Sequence, residues 1–346
     1  MSAKTLYILA FETSCDETSV AVLENDRVLS NIILSQEYHA HFGGVVPEAA
    51  SREHLRKIAE LTDEALEKAG RKIDDVNIVA AASEPGLIGA ILIGLNFGKS
   101  LAASLNVPFI NVNHIQAHLY SPFLNESKPE FPFIGLIVSG GHTLLILVED
   151  FFRHRILGTT VDDAAGEAFD KVAKMLGLGY PGGPEIDKRA KHGDRNFHEF
   201  PVSRLKDSKY NFSFSGIKTS VLYFLRKNNF ESVKNEKIID DICASFQHAV
   251  IKTLFDKTVL AAREFGVKDI AVSGGVSANS SLKHTFLGLQ DKGYRIFIPE
   301  LLYSTDNAGM IGITAYYKYI KSADTGVFKR DTLAVHARPR LDFDNF

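Results

Sequence analysis

Two stretches of this chain run through the same order of elements, and that duplication limits the possible fold more than any single motif. In the first, Leu6–Glu12 and Thr18–Glu24 read as short apolar strands around a polar turn, Asn25-Asp26 makes the next turn, and Val28–Leu34 is a third strand. A helix over Glu48–Lys68, stopped by Gly70, follows; then come a strand at Val76–Ala82, an apolar helix from about Gly86 to Leu105 and a strand at Phe109–Val112. In the second stretch, Phe133–Val138 and Thr143–Glu149 form a hairpin, Arg155–Thr159 is its third strand, and Ala164–Leu176 is helical. After an insertion-like segment the order continues as helix Asp240–Phe265, strand Asp269–Ser273, helix Ala278–Gln290, strand Tyr294–Ile298 and a last helix near Asn307–Ile320. The first turn of each copy is rich in small residues, Thr13-Ser14-Cys15-Asp16 in one and Ser139-Gly140-Gly141-His142 in the other.

A duplicated βββαβα unit with small-residue hairpin turns resembles the plan of the actin, Hsp70 and sugar-kinase (ASKHA) superfamily, which implies an α/β fold of two lobes with a nucleotide in the cleft between them. The polar stretch within Leu124–Phe131 is the natural boundary. It gives a first lobe over 1–130, on which the helix at about 307–322 packs back, and a second over 131–306 with an insertion at about 180–235.

Composition narrows the class. The chain has 346 residues, 45% hydrophobic and 23% charged, the profile of a folded globular protein of roughly two domains. Its net charge of −3 gives no global basic footprint, so contact with a nucleic acid has to be local. Cys15 and Cys243 are too few for a disulfide scaffold and are expected as free thiols. Neither a signal peptide nor an anchor is expected: the uncharged stretch Phe131–Val148 is broken at its centre by Ser139-Gly140-Gly141-His142-Thr143 and reads as strand, turn, strand. The expected compartment is the cytoplasm, with no membrane partner.

His114 and His118 stand at i and i+4 just after a strand end, where one helix face offers both imidazoles to one metal ion. The same spacing also occurs as an ordinary surface pair. Gln116 and Ile115 do not supply the acid of a HExxH protease motif. Asp306, in Ser304-Thr305-Asp306-Asn307, is either a third ligand or, with Thr305, a cap on the following helix. The clusters Ser139-Gly140-Gly141 and Ser273-Gly274-Gly275 each follow an apolar strand, where glycine lets backbone N–H groups approach phosphate or sugar. No P-loop lysine follows either cluster, and neither is GxGxxG. Asp163, Glu167 and Asp170 are spaced to share one helix face lining a cleft or meeting solvent, and the loop His39–Glu48 either reaches over a site or merely connects. Ten lysines and arginines between Lys188 and Lys227 are interleaved with Tyr210, Phe212, Phe214, Tyr223 and Phe224, a pattern that suits either an RNA backbone or a solvated insertion over an aromatic core.

Nine ordered motifs then carry a close resemblance to the bacterial tRNA N6-adenosine threonylcarbamoyltransferase family (TsaD, earlier Gcp or O-sialoglycoprotein endopeptidase). They are ETSCDETSVAV at 12–22, HFGGVVPEAASREH at 41–54, NHIQAHL at 113–119, VSGGHT at 138–143, DDAAGEAFDKVAKMLGL at 162–178, YPGGP at 180–184, FSFSGIKT at 212–219, SGGVSANSSL at 273–282 and STDNAGMIG at 304–312. The resemblance implies metal-assisted acyl transfer: a threonylcarbamoyl group passes from threonylcarbamoyl-adenylate to N6 of adenosine 37, just 3′ of the anticodon, in tRNAs reading codons that begin with A. It implies His114, His118 and Asp306 as ligands of one metal ion per subunit, iron (Fe2+) or zinc. It implies Ile137, Val138, Ser139, Gly140, Gly141, Asp170, Gly183, Asp187 and Asn279 as substrate-binding positions for the adenylate. Glu12 and Asp16, acidic residues of the first turn, are the weak catalytic candidates, each of which also fits a structural role, and no general base is named. The implied partners are tRNA, TsaB-like and TsaE-like proteins and a TsaC-type enzyme supplying the adenylate. The alternatives are the older metallopeptidase reading, which the histidine pair alone supports, and a non-catalytic nucleotide-binding module. One position departs from the family pattern: Glu84, in Ser83-Glu84-Pro85-Gly86-Leu87, stands where the family usually has glycine.

Overall fold

The computed structural model describes residues 5–202, 205, 208–229, 235–325 and 333–341. The chain divides into two compact units, Met1–Lys128 with Pro299–Phe346, and Pro129–Ile298.

In the first unit, strands β1 (Tyr7–Glu12), β2 (Glu17–Glu24) and β3 (Arg27–Ser35) form an antiparallel meander. Helix α1 (Pro47–Ala69) ends at Gly70, whose positive φ supplies the left-handed cap that the sequence led us to expect. Strand β4 (Ile78–Glu84), helix α2 (Ile88–Leu105), strand β5 (Phe109–Asn113) and helix α3 (His114–Tyr120) follow. The sheet order is β3-β2-β1-β4-β5, with β1, β4 and β5 parallel. Because β1 and β4 lie inside it with helices against the sheet, nearly every residue they contribute is buried. Helix α2 is long and apolar enough to cross a membrane; it packs Ala90, Ile91, Gly94, Leu95 and Gly98 inward, on the side of β4.

The second unit repeats the plan with β6 (Phe133–Val138), β7 (Thr143–Asp150), β8 (Arg153–Thr159), α4 (Ala165–Leu176), α5 (Gly182–Ala190), α6 (Ser215–Lys227), α7 (Glu236–Glu264), β9 (Asp269–Ser273), α8 (Ser280–Leu287) and β10 (Arg295–Phe297). Read from the meander edge, the order is β8-β7-β6-β9-β10, the same 3-2-1-4-5 as in the first unit. Helices α9 (Leu301–Ser304) and α10 (Ala308–Thr325) belong to the first unit, where α10 lies against β1, β2 and α3.

The duplication extends to one tight contact. After β4, Gly86 sits so close to the turn following β1 that a Cβ there would be 2.4 Å from the carbonyl oxygen of Ser14. After β9, Gly274, at φ +87°, would place a Cβ 2.5 Å from the carbonyl oxygen of Val138 at the end of β6. In both units a glycine lets the loop after the fourth strand press onto the backbone after the first.

Two expectations change, and for the run over 188–227 the aromatic-core alternative is the one that fits. Helix α4 starts at Ala165, so Asp163 lies before it and the three acids share no helix face; Asp163 and Glu167 pair with Lys171, and Asp170 turns to the start of α5. The insertion is not irregular throughout, since it contains α5 and α6. Of the basic and aromatic residues over 188–227, Tyr210, Phe212 and Phe214 are buried, while Arg189, Lys209 and Lys218 are held by Glu236, Glu264 and Asp163. Arg204 and Lys206 of that run lie outside the described residues.

Candidate metal centre and glycine-rich turns

The first unit's sheet delivers its chemistry at the carboxyl ends of its parallel strands, where ligands collect in α/β folds. Strand β5 ends in Asn113, whose Oδ1 accepts the N–H groups of Ile115 (2.9 Å) and Gln116 (3.1 Å) and so starts α3 at once. That start puts His114 and His118 on one face, with their rings 4.7 Å apart between centroids.

Asp306 reaches both rings. Its Oδ1 lies 3.4 Å from His114 Nε2 and 3.1 Å from His118 Nε2, and one ligand atom of each of the three residues falls within 4.8 Å of the others. The capping alternative is resolved by the neighbouring residue: Asn307 Oδ1 accepts the Met310 N–H at 2.9 Å, which leaves Asp306 to the histidines.

Glu12, at the end of β1, is fully buried behind His114. Its Oε2 accepts the His114 Nδ1–H at 2.9 Å, and its Oε1 accepts the Ser14 N–H at 2.5 Å. The Ser14 hydroxyl also stands 3.1 Å from His114 Nδ1. A carboxylate on Nδ1 fixes the ring orientation and leaves Nε2 facing Asp306, where a metal ion would take the place of the proton, the arrangement that surrounds metal-bound imidazoles. His118 differs, for its Nδ1 is buried with no hydrogen-bond partner among the described residues.

The electrostatics suit a cation. Burial works against charge on His114, yet Asp306 and Glu12 outweigh it and raise the proton affinity of that ring well above the ordinary imidazole range. Burial first, and then the charge of His114, lower that of His118. Burial alone would lift the Asp306 carboxyl, but the two imidazoles hold it far below the carboxylate range. Glu17 is pushed well above its usual value by burial and by Asp306 and Asp16. Carboxylates crowd this volume, and with a metal ion in place of the His114 proton the two imidazoles and one carboxylate form a donor set for iron or zinc, so the residues fit a metal ion.

Asp16 lies beside the Cys15 thiol and Glu17. The turn is braced by residues the motifs named without explaining: His54 Nε2 meets the Cys15 carbonyl at 3.0 Å, and its Nδ1 meets the Thr18 hydroxyl at 2.7 Å. In the His39–Glu48 loop, His39 is satisfied internally by Gln36 Oε1 and the Val46 N–H, a connecting role.

The second unit carries the other candidate positions. Ile137 and Val138 end β6, and Ser139-Gly140-Gly141 form the turn, closed by the His142 N–H donating to Ser139 Oγ at 3.1 Å. Asp170 Oδ1 accepts the Gly182 N–H at 2.7 Å, tying α4 to α5. Asp187 takes the hydroxyl (2.9 Å) and N–H (3.2 Å) of Ser280. Asn279 caps α8 through Leu282 N–H, and its Nδ2 donates to Gln247 Oε1 at 2.6 Å, a partner that no motif announced. A Cβ added at Gly140, Gly141, Gly183 or Gly275 would meet nothing within 4 Å, and none of the four has positive φ, so neither crowding nor backbone strain accounts for glycine there.

The fold and this centre define a duplicated α/β protein with a two-histidine, one-carboxylate cluster. Residues 27–313 match the model of the family described as TsaD, tRNA N6-adenosine threonylcarbamoyltransferase, and the chain belongs to that family. A protein of that name from Chloroherpeton thalassium is 52% identical over 324 residues, covering 90% of this chain and 92% of its own. One from Christiangramia forsetii is 48% identical, covering 93% and 95%. Among solved structures, full-length HypF in its phosphate- and nucleotide-bound form superposes with a TM-score of 0.59 at 15% identity, a likeness of fold alone. The match covers 92% of this chain, which spans 56% of the HypF chain. As a member of its family the chain is a transferase that modifies tRNA, and the metallopeptidase alternative is not favoured.

Proposed function

We propose that the chain transfers the threonylcarbamoyl group of threonylcarbamoyl-adenylate to N6 of adenosine 37 in tRNAs reading codons that begin with A, with one metal ion, iron or zinc, held by His114, His118 and Asp306. The observation that carries this reading is the convergence of three ligand atoms within 4.8 Å of one another, backed by the Glu12 carboxylate on His114.

The adenylate's carbonyl is a mixed anhydride and needs no further activation by the protein. What remains is to orient the amine, to stabilise charge developing on oxygen, and to hold the departing phosphate. A bound metal ion supplies Lewis acidity and a template for that charge. Gly140 and Gly141 lie beside open space and offer backbone N–H groups that suit a phosphate, in a turn that Ser139 closes through its N–H to the His142 carbonyl at 2.8 Å, while Gly183, Asp187 and Asn279 suit the nucleoside. Ile137 and Val138 set the direction of the turn, and Asp170 holds the start of α5. Glu12 keeps the His114 ring in one orientation, so it is read as a positioning residue, and Asp16 as part of the turn. The partners are tRNA, TsaB-like and TsaE-like proteins and a TsaC-type enzyme that makes the adenylate; the compartment is the cytoplasm.

The test is reconstitution with tRNA, threonylcarbamoyl-adenylate and the partner proteins, followed by digestion of the tRNA and mass spectrometry for threonylcarbamoyladenosine, beside an Asp306→Ala protein. Product with the native chain alone is expected. Product from both proteins removes the metal centre from the reaction, and product from neither, with nucleotide still bound, points to a binding module.

A further inference from the structure

Glu84 is the one position where a recognised motif departs from its pattern, and it sits one strand away from the metal ligands. It ends β4 opposite Asn113 of β5, at an irregularity in the pairing of the two strands. The Glu84 side chain is only 17% exposed. Asn113 Nδ2 donates to Glu84 Oε1 at 3.4 Å, while Asn113 Oδ1 accepts the two N–H groups that open α3.

The two ends of that amide are not interchangeable. A carboxylate accepts and cannot donate, so Glu84 admits only the NH2 end of Asn113 and turns the oxygen to Ile115 and Gln116. The cap fixes the first turn of α3, and the first residue of that turn is His114. Glu84 is in turn met by a distant segment: Arg338 Nη1 lies 3.7 Å from Glu84 Oε2, the Arg338 N–H donates to the Ser83 carbonyl at 2.9 Å, and the Gly86 N–H donates to the Pro339 carbonyl at 3.3 Å. Lys99 Nζ holds the Val335 carbonyl of the same segment. Residues 335–339 thus run along the loop that carries Glu84.

We propose that Glu84 is a positioning residue for the metal centre, orienting the Asn113 amide so that α3 presents His114, and that residues 335–339, through Arg338, hold Glu84 in place. The inference rests on the reading of His114, His118 and Asp306 as metal ligands. It makes metal affinity depend on a contact outside the ligand set and on a segment more than 200 positions along the chain.

Purified full-length chain, stripped and titrated with Co2+ against a chelator of known affinity, tests it by Kd and by the visible absorption of the bound cobalt. Thermal unfolding is followed in parallel. Glu84→Ala is expected to weaken Co2+ binding roughly tenfold, the low end of losses seen when a group behind a ligand is removed, and to shift the cobalt bands. Glu84→Gln, which keeps an acceptor for Asn113, should bind close to the native chain, and Arg338→Ala should fall between. Native affinity and bands in Glu84→Ala, with at most a lowered Tm, overturn the proposal. A Glu84→Gln protein as weak as Glu84→Ala overturns the amide-orienting role. Where Glu84→Ala does not fold, Glu84→Gln and Arg338→Ala decide: unchanged bands in Arg338→Ala remove the segment from the relay. His118→Ala is the control for the underlying reading, because if it binds Co2+ as tightly as the native chain, the ligand assignment itself has failed.

Discussion

Glu12 and His114 meet at 2.9 Å inside the first unit, joining the last residue of β1 to the first residue of α3 across 102 positions of sequence. The contact is buried on both sides, and the second oxygen of the carboxylate is taken by the Ser14 N–H. It links the conformation of the first turn to the direction of a ligand ring.

Replacing Glu12 by Gln removes the charge and allows the amide to present its NH2 group to His114. Metal affinity should fall by roughly 10- to 100-fold, as for other groups behind a histidine ligand. Co2+ or Zn2+ titration checks this, with circular dichroism to show that the fold is retained; unchanged affinity would mean that the ring is fixed by packing alone.

Gly274→Ala tests the tight approach after β9. A methyl group 2.5 Å from the Val138 carbonyl oxygen, at φ +87°, has no room without backbone movement. The expected loss is about 2–4 kcal/mol, combining overpacking with an unfavourable φ. Urea unfolding reads it directly, and a midpoint within error of the native chain would contradict the close contact.

Asp163 governs part of the acid stability of the second unit. Burial alone would lift its carboxyl, but Lys171 at 2.7 Å and Lys218 at 2.5 Å, with Ser215, hold it below the usual carboxylate range. A depressed folded pKa means stability that is complete above the unfolded value of about 3.9 and is lost as pH falls through the lower folded value. Asp163→Asn should therefore cost about 1.5–3 kcal/mol at neutral pH, the range for hydrogen bonds to charged groups. Its stability should fall less steeply than the native chain's below about pH 4. Parallel pH profiles of unfolding free energy would refute the assignment.

The two cysteines should be inert in the native protein. Burial, with Asp16 and Asp306 nearby, pushes the Cys15 thiol far up, and burial pushes Cys243 up to about 12. Since the thiolate is the reactive form, iodoacetamide at neutral pH should label neither until the chain is unfolded. Rapid native labelling of Cys15 would contradict its burial beside Asp16 and Asp306.

The duplicated order of strands and helices was legible because β1, β4, β6 and β9 are buried on both faces and read as unbroken apolar runs, while glycines and polar pairs mark their ends. The helix boundaries near Asp163 and inside the insertion were not. Asp163 looks helical by spacing, but α4 begins at Ala165 and Asp163 meets lysines of α4 and α6 from the loop before it. The aromatic residues at 210–214 carry no local sign of whether they face solvent or a core; the core took them.

His114 and His118 were visible as a pair because helical spacing is a local property of the chain. Whether Asp306 capped a helix or faced them was settled 188 positions away, by which side chain took the Met310 N–H once β1, α3 and α10 had packed together. The residues that turn ligands into a site, Glu12 and Ser14 on His114, Gln247 on Asn279 and Arg338 on Glu84, were equally out of reach of sequence spacing. By itself, the sequence determined the repeated α/β plan and the chemical types brought to it, since periodicity and glycine placement act over a few residues. Tertiary structure alone decided which carboxylate meets which imidazole, because hydrogen bonds act over about 3 Å in space without regard to separation along the chain.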